Sequence, residues 1–408
     1  MLDGFDTQSI AYVAPRIAED WGLKAAEFGP IFAVGLFGLM AGAFVLSPAA
    51  DRYGRKKIIL LSTFIFGLFA LLTASASSIT ELLVLRFLTG VGLGAAMPNI
   101  IALTSEYAPQ RLRATLVTVM FCGFPLGSTI GGLVSSWLIA LYDWHAVFIV
   151  GGVLPLLLLP LLWALLPESL RYLAASDAPP ARYEPIVRRA YPGEDPATVM
   201  AGLRGEHKET ATAGFTVFEL FRHGRLPTTA LLWLAFFMNL LVMYFLVNWL
   251  PTLLKSAGLP LEKAILSTAM LNLGGVVGAL ALGRLIDRFS PYAVLGAAYA
   301  VSAGFIVLIA FSGQNLTGLL AGAALSGFGV VGAQIGCNAL AASLYPTSIR
   351  ATGVGWALGV GRIGAIVGPL AGGAFLAAAW PASSIILVAA VPALLAAVAV
   401  FALSRIRR

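Results

Sequence analysis

Eleven apolar runs, each long enough to cross a bilayer as a helix, follow one another along this 408-residue chain. They lie near residues 29–50, 57–76, 80–104, 114–139, 144–166, 227–250, 261–282, 291–312, 315–341, 352–378 and 382–403. A helix rises about 1.5 Å per residue, so about 20 apolar residues match the hydrocarbon core of a membrane. Inside that core every backbone polar group must be paired within the protein, which restricts spanning segments to helices or closed barrels. Runs of this length are helices, so the chain reads as an all-α polytopic membrane protein. Only 11% of its residues are charged, against about 25% in soluble domains. Its 44 glycines suit helices that pack closely within a bilayer.

Residues from Met1 to about Pro15 read as a twelfth span, about half the length a crossing needs. The chain as given is therefore expected to begin inside its first membrane helix. A polar stretch near 167–226, with Pro179-Pro180, Pro192-Gly193 and mixed charges, separates six spans from six. It reads as a solvated linker with some helix. The expected organisation is an N-terminal half over 1–166, the linker over 167–226 and a C-terminal half over 227–408. An internal repeat supports it. Asp51-Arg52-Tyr53 corresponds to Asp287-Arg288-Phe289, Arg113-Ala114-Thr115 to Arg350-Ala351-Thr352, and Gly131-Gly132 to Gly372-Gly373, at offsets of 236, 237 and 241. Two parallel six-helix repeats describe one transporter architecture.

Charge sets the orientation. Of the 26 Lys and Arg, 20 fall on the side that carries the linker, and Arg16, Lys24, Lys255 and Lys263 fall on the other. The positive-inside rule makes the richer side cytoplasmic, so both termini and the linker are expected there, in the cytoplasmic (inner) membrane. The formal charge of +7 sits in short loops between spans and is no nucleic-acid signature. Cys122 and Cys337 lie in apolar runs and define neither a disulfide framework nor a metal cluster. No nucleophile elbow, phosphate loop or metal-ligand set is present. The sequence thus points away from an enzyme, and no cofactor or metal is expected. His145, His207 and His223 lie in or near loops and make poor proton relays.

Asp3 and Asp6, in Asp3-Gly4-Phe5-Asp6, stand at helical spacing on one face of the first span. Each carboxylate would cost about 2.5–3.5 kcal/mol at the centre of a lipid-facing helix. That is tolerable where both face a polar cavity or bind protons. Arg86 and Arg362 also lie within spans and need anionic or carbonyl partners.

Several motifs carry a family resemblance. Ser47-Pro48-Ala49-Ala50-Asp51-Arg52-Tyr53-Gly54-Arg55-Lys56-Lys57 resembles the loop signature between helices 2 and 3 of the major facilitator superfamily, with Ser47 where Gly is usual. Gly283-Arg284-Leu285-Ile286-Asp287-Arg288 is its second copy. Arg86-Phe87-Leu88-Thr89-Gly90-Val91-Gly92-Leu93-Gly94 resembles the superfamily's helix 4 motif. Gly123-Phe124-Pro125-Leu126-Gly127 and Gly364-Ala365-Ile366-Val367-Gly368-Pro369 read as kinked, close-packed segments. Pro167-Glu168-Ser169-Leu170-Arg171 is similar to an element of sugar porters and organic-ion transporters. Leu2-Asp3-Gly4-Phe5-Asp6-Thr7-Gln8 resembles the first helix of the aromatic acid:proton symporters, whose substrates include benzoate, hydroxybenzoates, protocatechuate and gentisate. Phe237 to Leu254 and Gly361-Arg362-Ile363-Gly364-Ala365 are similar to that family as well.

The resemblance implies proton-coupled uptake of small aromatic acids by alternating access between the two halves, with Asp3 and Asp6 implicated in transport. Arg86 is expected to organise the proton site, or alternatively to tie helices through backbone carbonyls. An aromatic carboxylate calls for a cation, hydrogen-bonding groups and aromatic walls. Arg362 offers a bidentate fork for the carboxylate. Gln334 and Asn338, four residues apart, face one way, and Asn239, Tyr244 and Asn248 add partners. Trp356 offers a stacking surface, whereas Trp249, near the end of its span, reads as an interfacial anchor. Asp51 is expected to latch to the start of the eleventh span near Arg350, and Asp287 to the start of the fifth near Arg113, with Arg52, Arg55 and Arg288 supporting the gate. The expected partners are an aromatic acid, protons and the lipid bilayer, with a monomer as the working unit. Another organic acid, a nicotinate-like compound or a sugar are the alternative substrates, and a transporter-derived sensor is an alternative of a different class.

Overall fold

The computed structural model describes residues 1–109, 111–176, 178–211, 217–222, 224–345 and 349–406. The described residues form helices and their connections, with no strand among them. The first six long helices are α1 (Leu2–Trp21), α2 (Phe28–Ala41), α3 (Arg55–Thr73), α4 (Ile79–Tyr107), α5 (Arg113–Leu141) and α6 (Trp144–Leu165). Three shorter helices follow, α7 (Leu170–Ala175), α8 (Pro180–Ala190) and α9 (Pro196–Ala211). The last six are α10 (Leu226–Ser256), α11 (Leu261–Arg288), α12 (Pro291–Phe311), α13 (Leu316–Leu344), α14 (Arg350–Ala377) and α15 (Ala382–Ile406). All of these long helices except α1 are long and apolar enough to cross a membrane, α2 being counted with its flanking turns as Ala25–Tyr53.

Helix ends follow local chemistry. Gly22 closes α1 in the left-handed region, its N–H donating to the Ala18 carbonyl, a conformation that costs glycine little. The first helix therefore continues six residues past Pro15, the end expected from apolarity alone, and carries Arg16, Glu19 and Asp20 on its last turns. Ser78 caps α4 by accepting from the Glu81 N–H, while the Glu81 carboxylate accepts from the Ser77 N–H. Beyond α2 the chain passes through a π-helical turn (Gly42–Leu46) and a short helix (Ala50–Tyr53). It breaks at Gly54, whose φ of +100° few L side chains adopt.

Within each set of six, backbones touch through glycine. A Cβ on Gly38 of α2, or on Gly42 in the turn that follows it, would meet the Phe87 or Val91 carbonyl oxygen of α4 at 2.2 and 2.0 Å. A Cβ on Gly274 or Gly278 of α11 would meet the Ala324 or Phe328 carbonyl oxygen of α13 at 1.9 and 2.1 Å. The α2–α4 and α11–α13 pairs thus repeat one packing device, as the sequence repeat implies. The Gly131-Gly132 and Gly372-Gly373 correspondence acquires a meaning too. Gly131 packs on Phe5 and Gly372 on Trp249, each within its own set of six. Gly132 packs on Ala269, and Gly373 on Gly29, each across to the other set.

The segment between the two sets is more than a solvated linker. Leu170, Leu173, Ala174, Tyr183, Val187 and Met200 bury a small core of their own, against which Tyr107 of α4 also packs. Apolar residues at this spacing give α8 one buried stripe, and its arginines 182, 188 and 189 stay outside.

Candidate functional site

The Asp3-Gly4-Phe5-Asp6 turn sends each side chain to a different neighbour. Gly4 lets the α1 backbone approach α5, where a Cβ would lie 2.0 Å from the Phe124 carbonyl oxygen. Ser128 of α5 strengthens this contact by donating to the Gly4 carbonyl at 3.0 Å. Phe5 packs against Gly131 and Gly151. Asp6 is fully buried and turns to α4, where Arg86 Nη1 lies 3.4 Å from its Oδ1 and Arg86 Nη2 donates to its carbonyl oxygen at 3.1 Å. Arg86 thus meets both a helix 1 carboxylate and a backbone carbonyl. The Arg86 guanidinium also stands over the Phe148 ring, 5.7 Å from its centroid, a cation–π arrangement. Asp6 Oδ2 and Arg86 Nε remain without hydrogen-bond partners.

Asp3 takes different company, although it is one turn from Asp6. Its Oδ1 accepts from Thr7 Oγ1 at 3.2 Å, and it lies within electrostatic reach of Arg362 on α14. Tyr244 of α10 lies within reach of both Asp3 and Arg362. Asp3, Arg362 and Tyr244 thus lie near one another where α1 meets the last six helices, whereas Asp6 faces Arg86. A small cavity adjoins this place between α1, α2, α4 and α10. Its polar lining is Thr7, Arg86, Tyr244 and Asn248, and its apolar walls include Phe32, Leu36 and Leu93.

The remaining polar candidates form a separate chain. Asn239 Nδ2 of α10 donates to Gln334 Oε1 of α13, and Gln334 Nε2 donates to Asn338 Oδ1 at 3.4 Å. Asn239 Oδ1 is buried without a partner. Asn239 therefore faces α13, while Tyr244 and Asn248 face the cavity. Trp356 stacks on Trp233 with ring centroids 5.9 Å apart. It starts nearly two turns before Arg362 on α14, so the structure does not gather it with the other site residues. Trp249 is no interfacial anchor. It is fully buried, with Nε1 donating to the Pro369 carbonyl at 2.9 Å and its ring edge-on to Phe32 at 5.1 Å.

At the end of the molecule that carries the basic loops, Asp51, Arg52, Asp287, Arg288 and Arg350 are exposed. The side chain of Arg113 lies outside the described residues. No ion pair among the described residues joins Asp51 or Asp287 to the opposite set of helices. Arg55 engages its own half instead: its Nη1 contacts Glu106 Oε2 at 2.8 Å, an acceptor shared with Ser169 Oγ at 2.8 Å, and Glu106 Oε1 accepts from the Arg171 N–H. Glu168 accepts from the backbone N–H groups of Lys56 and Ser169. Glu106 and Glu168 thus clamp the loop after α2 to the segment after α6. Glu106 carries no signal in the sequence, since a carboxylate at the rim of a span resembles ordinary loop charge.

At the opposite end the two sets of helices meet closely. Glu19 of α1 pairs with Lys255 of α10 at 2.5 Å. A Cβ on Gly373 of α14 would stand 3.0 Å from the Ala26 carbonyl oxygen and 3.2 Å from the Gly29 Cα. The molecule is therefore closed at the Lys255 end.

Known proteins give this arrangement its context. The family model for the Major Facilitator Superfamily matches residues 1–291 and 264–408. A gallate transporter of Pseudomonas putida is 43% identical over 411 residues, covering 98% of this chain and 89% of that protein. The 4-hydroxybenzoate transporter PcaK of Pseudomonas aeruginosa is 41% identical over 399 residues, covering 98% and 89%. Among solved structures, the inward-open xylose transporter XylE of E. coli superposes with a TM-score of 0.78 at 16% identity, over 97% of this chain and 92% of that one. The proteins it resembles are transporters and not enzymes, and this chain belongs to the Major Facilitator Superfamily, in the branch that holds these aromatic-acid transporters.

Proposed function

We propose that this protein takes up small aromatic carboxylic acids together with protons, by alternating access between residues 1–166 and 227–408, with 167–226 as a cytoplasmic connector. The kinship with the gallate and 4-hydroxybenzoate transporters supports the substrate class. The observation that carries the coupling is the division of labour on α1. Asp6 is held by Arg86, whereas Asp3 stands beside the boundary with Arg362 and Tyr244. A carboxylate near a substrate-binding cation competes with an incoming carboxylate, and protonation ends the competition. Asp3 and Asp6 with Arg86 then form the proton site, and Arg362 the anion site. Tyr244, and the Asn239–Gln334–Asn338 chain with it, serve the ring substituents, with Trp356 at the way in.

The basic loops favour a cytoplasmic connector and cytoplasmic termini at the inner membrane, and on this reading the protein works as a monomer. The closed Lys255 end is then extracytoplasmic, and the conformation is one in which the cytoplasmic latches are released. In the alternate state Asp51 pairs near Arg350 and Asp287 near Arg113, with Arg52, Arg55 and Arg288 at the same rim. A second proton per monoanion would move one positive charge inward and gain about 2.3 kcal/mol per 100 mV.

The test is uptake of labelled 4-hydroxybenzoate into proteoliposomes under an inward proton gradient. Accumulation that collapses with a protonophore, and is lost in Asp3→Asn and Asp6→Asn while counterflow persists, is the expected result. Accumulation indifferent to the protonophore would overturn the coupling, and absence of counterflow would overturn transport of this acid.

A further inference from the structure

Three of the glycines that bring α2 and α4 together are closed to a side chain. A Cβ on Gly38 would collide with the Phe87 carbonyl oxygen at 2.2 Å, on Gly90 with the Gly35 carbonyl oxygen at 2.2 Å, and on Gly94 with the Leu39 carbonyl oxygen at 1.9 Å. Gly35 of α2 stands on the same helix as Gly38 and behaves otherwise. A Cβ built there meets one heavy atom within 4 Å, the Arg86 carbonyl oxygen at 3.8 Å, which is no collision. Gly35 instead lines the cavity, on the helix face it shares with Phe32, Leu36 and Leu39. The adjoining α4 supplies Arg86, whose Nε is buried and unpaired, and α10 supplies Tyr244 and Asn248. Helix packing accounts for Gly38, Gly90 and Gly94, and leaves the missing side chain at Gly35 without a packing reason. What it leaves is space in the wall beside a cation and two hydrogen-bonding side chains.

We infer that Gly35 is a specificity-determining residue: the cavity between α1, α2, α4 and α10 is about 20 Å³ in this conformation, room for little more than a water, and the missing side chain at 35 sets how large a ring its walls admit when they part around a substrate. The inference rests on the reading of the protein as an aromatic-acid transporter. A side chain at 35 projects into the space that ring substituents occupy. It therefore discriminates against heavily substituted acids and spares an unsubstituted ring by comparison.

The experiment is uptake by wild type, Gly35→Ala and Gly35→Val in proteoliposomes, with benzoate and 3,4,5-trihydroxybenzoate measured side by side. The ratio of kcat/KM for benzoate to that for the trihydroxy acid is expected to rise at least tenfold in Gly35→Val and less in Gly35→Ala, with the change carried by KM. A ratio within twofold of wild type in Gly35→Val overturns the inference. So does a Gly35→Ala protein that loses its monodisperse elution or all transport, because the Cβ would then lack the space assigned to it. Gly38→Val, by contrast, is expected to lose folded protein. Wild type that moves neither acid would instead defeat the parent reading of an aromatic-acid transporter, an outcome distinct from an unchanged ratio.

Discussion

Lys255, near the end of α10, forms with Glu19 of α1 the one ion pair among the described residues that joins the first six helices to the last six. The same ammonium reaches the Pro15 carbonyl at 3.4 Å, so the contact grips both a side chain and the backbone of α1. Below it lie the Phe32–Trp249 edge contact and the meeting of Gly29 with Gly373. Closure at this end is thus layered, with a charged rim over an apolar floor.

The rim should tune the closed state rather than create it. The Glu19 side chain is 50% exposed and that of Lys255 25%, and exposed pairs are worth about 0–1 kcal/mol. Lys255→Ala is expected to raise the reactivity of a cysteine placed at Leu36, probed from the extracytoplasmic side with an impermeant thiol reagent, by up to about fivefold. High salt should reproduce part of the effect. An unchanged labelling rate in both Lys255→Ala and Glu19→Gln would remove the pair from the gate.

The floor should matter more. Gly373→Val places a branched side chain where a Cβ already stands 3.0 Å from the Ala26 carbonyl oxygen. Overpacking of this kind costs about 1–3 kcal/mol, and it acts on the closed state, since the clash is between the two sets of helices. The expected outcome is a protein that folds, labels readily at a Leu36 cysteine from outside, and accumulates substrate slowly. Equal labelling of Gly373→Val and wild type would show that the two helices do not meet during transport.

The long helices were legible because a bilayer asks each span for the same thing, about twenty apolar residues. The first helix was harder, because Asp3, Asp6, Arg16, Glu19 and Asp20 dilute its apolarity while its partners on other helices do the shielding. Pairwise geometry was legible only in part. The spacing of Asp3 and Asp6 placed them on one face, yet they differ in partners, because a separation of 60° on a helix suffices to turn Asp6 to Arg86 of α4 and leave Asp3 bonded to Thr7 of its own helix. Trp249 misled for a similar reason. A tryptophan near the end of a span looks like an anchor until Phe32 and the Pro369 carbonyl, both remote in sequence, are seen to enclose it.

Glu106 provides a test of the connector. Its carboxylate accepts from Arg55, Ser169 and the Arg171 N–H, and hydrogen bonds to a charged group contribute about 1.5–3 kcal/mol each. Glu106→Ala should therefore release the start of α7 from the end of α4 while the small core around Leu173 and Val187 persists. Limited proteolysis should then cut between residues 166 and 180 at least tenfold faster than in wild type. A cleavage pattern identical to wild type would mean that the core and the Tyr107 contact hold the connector unaided.

The Asp6–Arg86 pair is open to a double-mutant cycle. Removing one member of a buried pair leaves an uncompensated charge and costs about 3–5 kcal/mol. Arg86→Ala is expected to fall in that range, because it strands Asp6 and empties the space over Phe148. Asp6→Asn should cost less, since the Arg86 guanidinium keeps the Asp6 carbonyl at 3.1 Å and the Phe148 ring at 5.7 Å. The double variant should lose less than the sum of the two, by about 1–3 kcal/mol, measured by denaturant unfolding in detergent. Additive losses would mean that the two charges do not feel each other, and would leave Arg86 as a helix tie with no part in the proton site.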